Sequence, residues 1–184
     1  MDCTWPGNDE LMLAYHQQEW GRPLHDDKKH FEFIVLDSFQ AGLSWKTILH
    51  RRTGFKKAFV NFDVKKVAKF NEQDVVRLMA DEGIIRNKLK ITGTIKNAKA
   101  FIEIQKEFGS FDAFIWQFTN HKIIDHFPES NSQIPSTSKE SDNMSKALKS
   151  RGFTFVGSTI CYAYMQAAGM VNDHLKTCSC RINS

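Results

Sequence analysis

Apolar residues return at helical spacing along almost the whole chain, and alternating runs of β-branched residues are nearly absent. A chain with that periodicity must bury helix stripes against one another, so the expected class is all-α. Phe31, Ile34 and Val35 mark one stripe. Asp26 and Asp27 precede it, and their carboxylates suit a helix N-terminus. Ser44 is read as the cap of a short helix through Trp45, Ile48 and Leu49, Asp63 as the start of another through Val64, Val67 and Phe70, and Asn71 as the cap of a third through Val75, Val76 and Leu78. A longer helix follows with Ile91, Ile95, Ala98 and Ile102 in register. The turn between those last two, from Gly83 to Lys88, holds a glycine where a positive φ is expected and the cations Arg86 and Lys88. Residues 129–143 are rich in serine and contain Pro135, which predicts a surface loop. Beyond it the spacing predicts a helix through Met144, Ala147 and Leu148 and a buried one through Ile160, Tyr164, Ala167 and Val171.

A length of 184 residues suits one domain, or one domain with two lobes, and buries enough surface to need no disulfide scaffold. The formal net charge of +4 permits a polyanionic partner without requiring one. Apolar stretches such as Phe31 to Leu36 are broken by Glu or Asp far short of the roughly 20 residues of a membrane span. The N-terminus, MDCTWPGNDE, has no basic start followed by an apolar run, so a cytoplasmic location with reduced cysteines is expected.

Three constellations carry chemistry. Cys3 with His16, and His174 with Cys178, are the thiolate and imidazole donors that a tetrahedral zinc ion accepts together. The second pair is spaced i, i+4, which puts both on one face if a terminal helix continues. Cys180 rivals Cys178 as a donor, and a core cysteine beside unrelated histidines is the plainer alternative. Trp5, Tyr15 and Trp45 lie near Asp37, a set of electron-rich rings and a carboxylate suited to a cation, with core tryptophans and a capping aspartate as the alternative. The segment from Gly83 to Lys90, followed by Lys96 and Lys99, is basic enough to hold phosphate at a helix start, or to be an ordinary solvated face.

Taken together, C-x-W near the N-terminus, AYHQQEWG, LDSFQAGLSWKTIL, GIIRNKLKI, IPSTSKESDNMSKALKSRGFTFVGSTICYAYMQAAGMVNDH and a final C-x-C closely resemble the DNA-3-methyladenine glycosylase I family over essentially the whole chain. The resemblance implies an all-helical, monomeric repair enzyme of the helix-hairpin-helix superfamily that excises 3-methyladenine from alkylated double-stranded DNA. Its lobes would be a helical one over about 20–125 and one built from both termini, about 1–19 and 126–184. A structural zinc on Cys3, His16, His174 and Cys178 would join the termini. Tyr15 and Trp45 would line the base pocket, with Asp37 as its carboxylate and Trp5 as a cover. Leu43, beside Gly42, would fill the gap in the opened duplex, and Gly83, Arg86 and Lys88, or Lys90, would meet phosphates. The chain departs from the family at one point: Asp37 stands where its better-known members carry glutamate, and Ser-Phe-Gln follows in place of Gly-x-Gln. Aspartate is shorter by one methylene, about 1.5 Å of reach. An altered lesion preference, motivated by Asp37 and Phe39, is therefore one rival reading, with contact between Phe39 and the base left open. A non-catalytic binder of damaged DNA and a zinc-stapled protein-interaction module are the others.

Overall fold

The computed structural model describes residues 3–181. Among these, ten α-helices follow in order: α1 (Glu10–Gln18), α2 (Asp27–Gln40), α3 (Trp45–Leu49), α4 (Arg52–Ala58), α5 (Val64–Val67), α6 (Glu72–Ala80), α7 (Lys88–Phe108), α8 (Phe111–Ile115), α9 (Lys139–Ser150) and α10 (Ser158–Ala167). The helical expectation holds, with one small addition. Strands β1 (Ile124–Asp125) and β2 (Val171–Asn172) pair in parallel and tie the segment after α8 to the one after α10. No helix of the described residues is long and apolar enough to cross a membrane.

Local chemistry sets most helix starts. The side chains of Asp26, Ser44, Asp63 and Asn87 each accept the backbone N–H three residues on, and Asn71 forms a reciprocal capping box with Asp74. Helix α9 begins at Lys139, earlier than the predicted loop of residues 129–143 allows. Ser138 and Ser141 cap each other's backbone there, so a run of serines that reads as loop in sequence is a helix start.

Helix α2 is the axis of the molecule. It packs against α3, α7, α8 and α10, and every residue from His30 to Phe39 is buried. A helix enclosed on all sides has no solvated face on which to place polar groups, so each needs a partner. His30 meets that demand twice, with Nε2 3.0 Å from Asp112 and Nδ1 2.6 Å from the Tyr164 hydroxyl. Asp27, at its start, accepts the backbone N–H of Phe111 and of Asp112 at 2.9 Å and so fixes where α8 begins. Phe39 lies in the core against Phe55 and Phe59. Whether it touches a bound base is open in the sequence; the residues lining the cavity that Asp37 lines do not include it.

Gly83 does not need a positive φ, contrary to expectation. Proximity instead requires glycine at its neighbour: a Cβ on Gly54 would overlap the carbonyl of Gly83, whereas one on Gly83 would meet the Asp81 carboxylate at 3.0 Å and the Gly54 Cα at 3.4 Å. The turn before α7 therefore rests directly on α4.

Candidate functional site

Helix α2 ends at Gln40, and the chain leaves it through Gly42, whose φ of +78° belongs to the region glycine favours. Leu43 follows at the surface, 40% exposed, and Ser44 then opens α3. The turn is held from below by Lys90, whose Nζ donates to the carbonyls of Phe39 at 2.8 Å and Ala41 at 2.5 Å. Lys90 is 7% exposed, and burial lowers its pKa. It caps the end of α2, which corrects the expectation that it meets phosphate. Lys90→Met, which keeps the volume and removes both bonds, is expected to cost about 2 kcal/mol and to lower the melting temperature by roughly 4–8 °C. Thermal unfolding followed by circular dichroism checks it, and an unchanged melting point would contradict this capping role.

Beside that turn lies a cavity of about 330 Å³, lined in part by Trp5, Tyr15, Trp20, Asp37, Gln40 and Trp45. Tyr15 and Trp45 approach to 5.0 Å between ring centroids, and Trp5 meets Tyr15 edge-on at 6.3 Å. The residues predicted to share one cavity do share it. Its volume falls in the range of small-molecule sites. Asp37 is 2% exposed, and its Oδ2 has no hydrogen-bond partner. Burial alone raises its carboxyl well above the ordinary value of 3.8. The Tyr15 phenol is likewise raised, first by burial and then by Asp37, so it keeps its proton. The indole Nε1 atoms of Trp5 and Trp45 are further buried donors without a partner. Such a chamber brings ring faces and a carboxyl together around whatever enters.

Sequence reasoning missed Trp20, Gln40, Asn131, Ile134, Ala163 and Gln166, which also line the cavity. Trp20 stood in the string AYHQQEWG and was within reach of that reading. Ala163 and Gln166 come from α10, and only the docking of α10 on α2 reveals them.

The other predicted cluster forms at the chain ends. Donor atoms of Cys3, His16, His174 and Cys178 all lie within 4.8 Å of one another, and all four residues are buried. Cys178 Sγ is 3.6 Å from His16 Nε2 and 3.5 Å from His174 Nδ1, and Cys3 Sγ is 3.9 Å from the latter. Tetrahedral zinc, with bonds of about 2.3 Å to sulfur and about 2.0 Å to nitrogen, sets sulfur-to-nitrogen edges of about 3.5 Å. The donor set fits. His174 Nε2 points at the Trp20 carbonyl, 3.0 Å away, which leaves Nδ1 as the basic nitrogen facing the sulfurs. Burial pushes the His174 pKa down to about 4, so its imidazole is neutral, the form that ligates. The backbone N–H of Leu175 donates to Cys3 Sγ at 3.3 Å, a bond that favours thiolate. One expectation is corrected. His174 and Cys178 do not lie on a helix, since α10 ends at Ala167 and a turn closed by the Cys178 N–H on the Leu175 carbonyl brings them together.

In the turn before α7, Arg86 and Lys88 are both exposed and pair loosely with Glu82 at 3.8 Å and Glu72 at 3.5 Å. Gly83 lies at the same turn.

Comparison with known proteins adds four findings. The family described as methyladenine glycosylase matches residues 5–182. The chain is 48% identical over 178 residues to DNA-3-methyladenine glycosylase 1 of Escherichia coli strain K12, covering 97% of this chain and 95% of that protein. Among solved structures, one of 3-methyladenine DNA glycosylase I superposes with a TM-score of 0.96 at 43% identity, over 99% of this chain and 100% of the other. Another, a tyrosine-to-phenylalanine variant of such an enzyme in complex with 3-methyladenine, gives a TM-score of 0.96 at 34% identity over 98% of this chain and 97% of the other.

Proposed function

This chain belongs to the methyladenine glycosylase family, and from that premise we propose that it is a monofunctional DNA glycosylase, which flips 3-methyladenine out of alkylated double-stranded DNA and hydrolyses its N-glycosidic bond. The observation that carries this reading is the shared cavity of Tyr15, Asp37 and Trp45. Methylation at N3 makes the adenine nucleotide a cation, so the base departs as a neutral molecule and needs little help from a general acid. Two tasks remain: taking the lesion out of the stack, at a cost of a few kcal/mol, and holding it. The ring faces of Trp45 and Tyr15 each contribute about 0.5–2 kcal/mol toward a cation, more as the site dries. Trp5 closes over them. Asp37 supplies the anion once the base is in place.

Leu43, carried outward by Gly42, fills the space the base vacates. Arg86 and Lys88, in the helix-hairpin-helix turn with Gly83, exchange weak surface pairs for DNA phosphates. Water attacks the sugar carbon, where charge like that of an oxocarbenium ion develops near those phosphates. The described cavity-lining residues include no lysine, which accords with hydrolysis without a covalent intermediate or strand cleavage. Cys3, His16, His174 and Cys178 would hold a zinc ion whose part is structural, because four protein donors leave no position for water. The base would sit between the lobes 20–125 and 1–19 with 126–184.

The test is base release from methylated duplex DNA under single-turnover conditions. Free 3-methyladenine and intact abasic strands are expected. Tight binding with no free base would make the protein a binder of damage instead. Leu43→Ala is expected to lower kcat/KM about tenfold, the equivalent of roughly 1.4 kcal/mol, while leaving affinity for the free base unchanged. Loss of free-base affinity in that variant would place Leu43 inside the pocket.

A further inference from the structure

Adenine and guanine methylated at N3 carry the same charge on the same fused rings, so ring faces and a carboxylate hold both. They differ at C2, where guanine adds an amine, and at C6, where adenine offers an amine and guanine a carbonyl. Discrimination there needs an acceptor that cannot turn into a donor. Asp37 is the anion that answers the positive charge both bases share, and its carboxyl can take up a proton and donate. A glutamine amide also presents either end, unless something fixes its rotation.

Gln166, in the last turn of α10, lines the cavity, and its rotation is fixed. Its Nε2 donates to Oδ2 of Asp173 at 2.8 Å. Asp173 is fully buried, and its oxygens also meet the Tyr162 hydroxyl and His126 Nδ1, each at 2.7 Å. Turning the amide over would set its oxygen against that carboxylate, acceptor facing acceptor. The backbone is fixed as well, since the Gly21 N–H donates to the Gln166 carbonyl at 2.9 Å, next to the cavity residue Trp20. The amide atom not tied to Asp173 is Oε1, an acceptor only.

We propose that Gln166 Oε1 is the specificity-determining group that accepts the exocyclic amine of 3-methyladenine, and that Asp173 is the positioning residue that prevents it from serving the carbonyl of 3-methylguanine. The proposal rests on the glycosylase reading above and names the group within that site that selects the purine. A base with a carbonyl at this position faces Oε1 oxygen to oxygen, and both acceptors lose their water without replacement.

The experiment measures single-turnover release of 3-methyladenine and 3-methylguanine from the same methylated duplex, for wild type and Gln166→Met. In the variant the ratio of the two rates is expected to fall about tenfold, chiefly through slower release of 3-methyladenine. Gln166→Ala gives the same readout with a strong helix former at this half-buried helical position, should methionine leave the chain poorly folded. A purely structural glutamine would slow both bases alike, and an unchanged ratio with 3-methyladenine still released overturns this proposal alone. Failure of the wild type to release either base overturns the glycosylase reading and this inference with it.

Discussion

Asp37→Asn is expected to release 3-methyladenine about a hundredfold to a thousandfold more slowly than wild type, while unfolding at the same or a higher temperature at neutral pH. Both effects come from one fact of placement. Asp37 lies inside a helix enclosed on every side, and its Oδ2 has no partner. Leaving a buried polar group unsatisfied costs about 1–3 kcal/mol, and burial answers by favouring the neutral acid. In the proposed reaction a cationic base would supply the missing partner and draw the carboxyl back toward ionisation. Asparagine copies the neutral acid in shape and cannot form the anion, so it removes function without removing fold.

The pH dependence follows with a definite sign. The folded pKa of Asp37 is raised above the unfolded value near 3.8, so the folded chain binds more protons and stability falls as pH rises from about 4 through the folded pKa. Asp37→Asn removes that slope. Its melting temperature should match wild type near pH 4 and exceed it near pH 8. Over the same range kcat/KM of wild type should rise, because the lesion binds the ionised form, while that of the variant stays flat. Base release by chromatography and urea melts at the two pH values check both halves. An asparagine variant as active as wild type would remove the carboxylate from the mechanism.

What was legible in the sequence was local or strung along one element. Asp26, Ser44, Asp63 and Asn71 were readable as caps because a cap is satisfied three residues away. Tyr15, Asp37 and Trp45 were readable as a set through strings that resemble one family. Contacts decided across the fold were not legible. Lys90 looks like any surface cation until its amine is seen on the carbonyls ending α2. Gly83 reads as a positive-φ glycine because nothing nearby in sequence announces Gly54. Gln166 is one more polar residue on a buried helix until Asp173, brought up by the chain after α10, fixes its amide. Cys178 and His174 were paired by a correct spacing for an incorrect reason, since a turn delivers the geometry that a helix was expected to give.

With zinc held as proposed, Cys178→Ser is expected to lose the metal and roughly 10 °C of melting temperature, corresponding to about 4 kcal/mol, together with most base release. A metal joining Cys3 and His16 to His174 and Cys178 would close a loop of nearly the whole chain, where a clip constrains the unfolded state most. The link to activity is physical contact. Trp20 packs 4.7 Å from the His174 ring and 5.0 Å from Trp5, and Trp5 packs 5.4 Å from His16, so two walls of the cavity rest on two of the four donors. Loosening the donors therefore loosens the cover over Tyr15 and Trp45 before the helical core opens. Metal analysis of the purified variant, paired with release assays well below its melting temperature, separates the two effects. Wild-type stability with full zinc occupancy in Cys178→Ser would move the fourth ligand to Cys180, and wild-type release without zinc would break the coupling between staple and pocket.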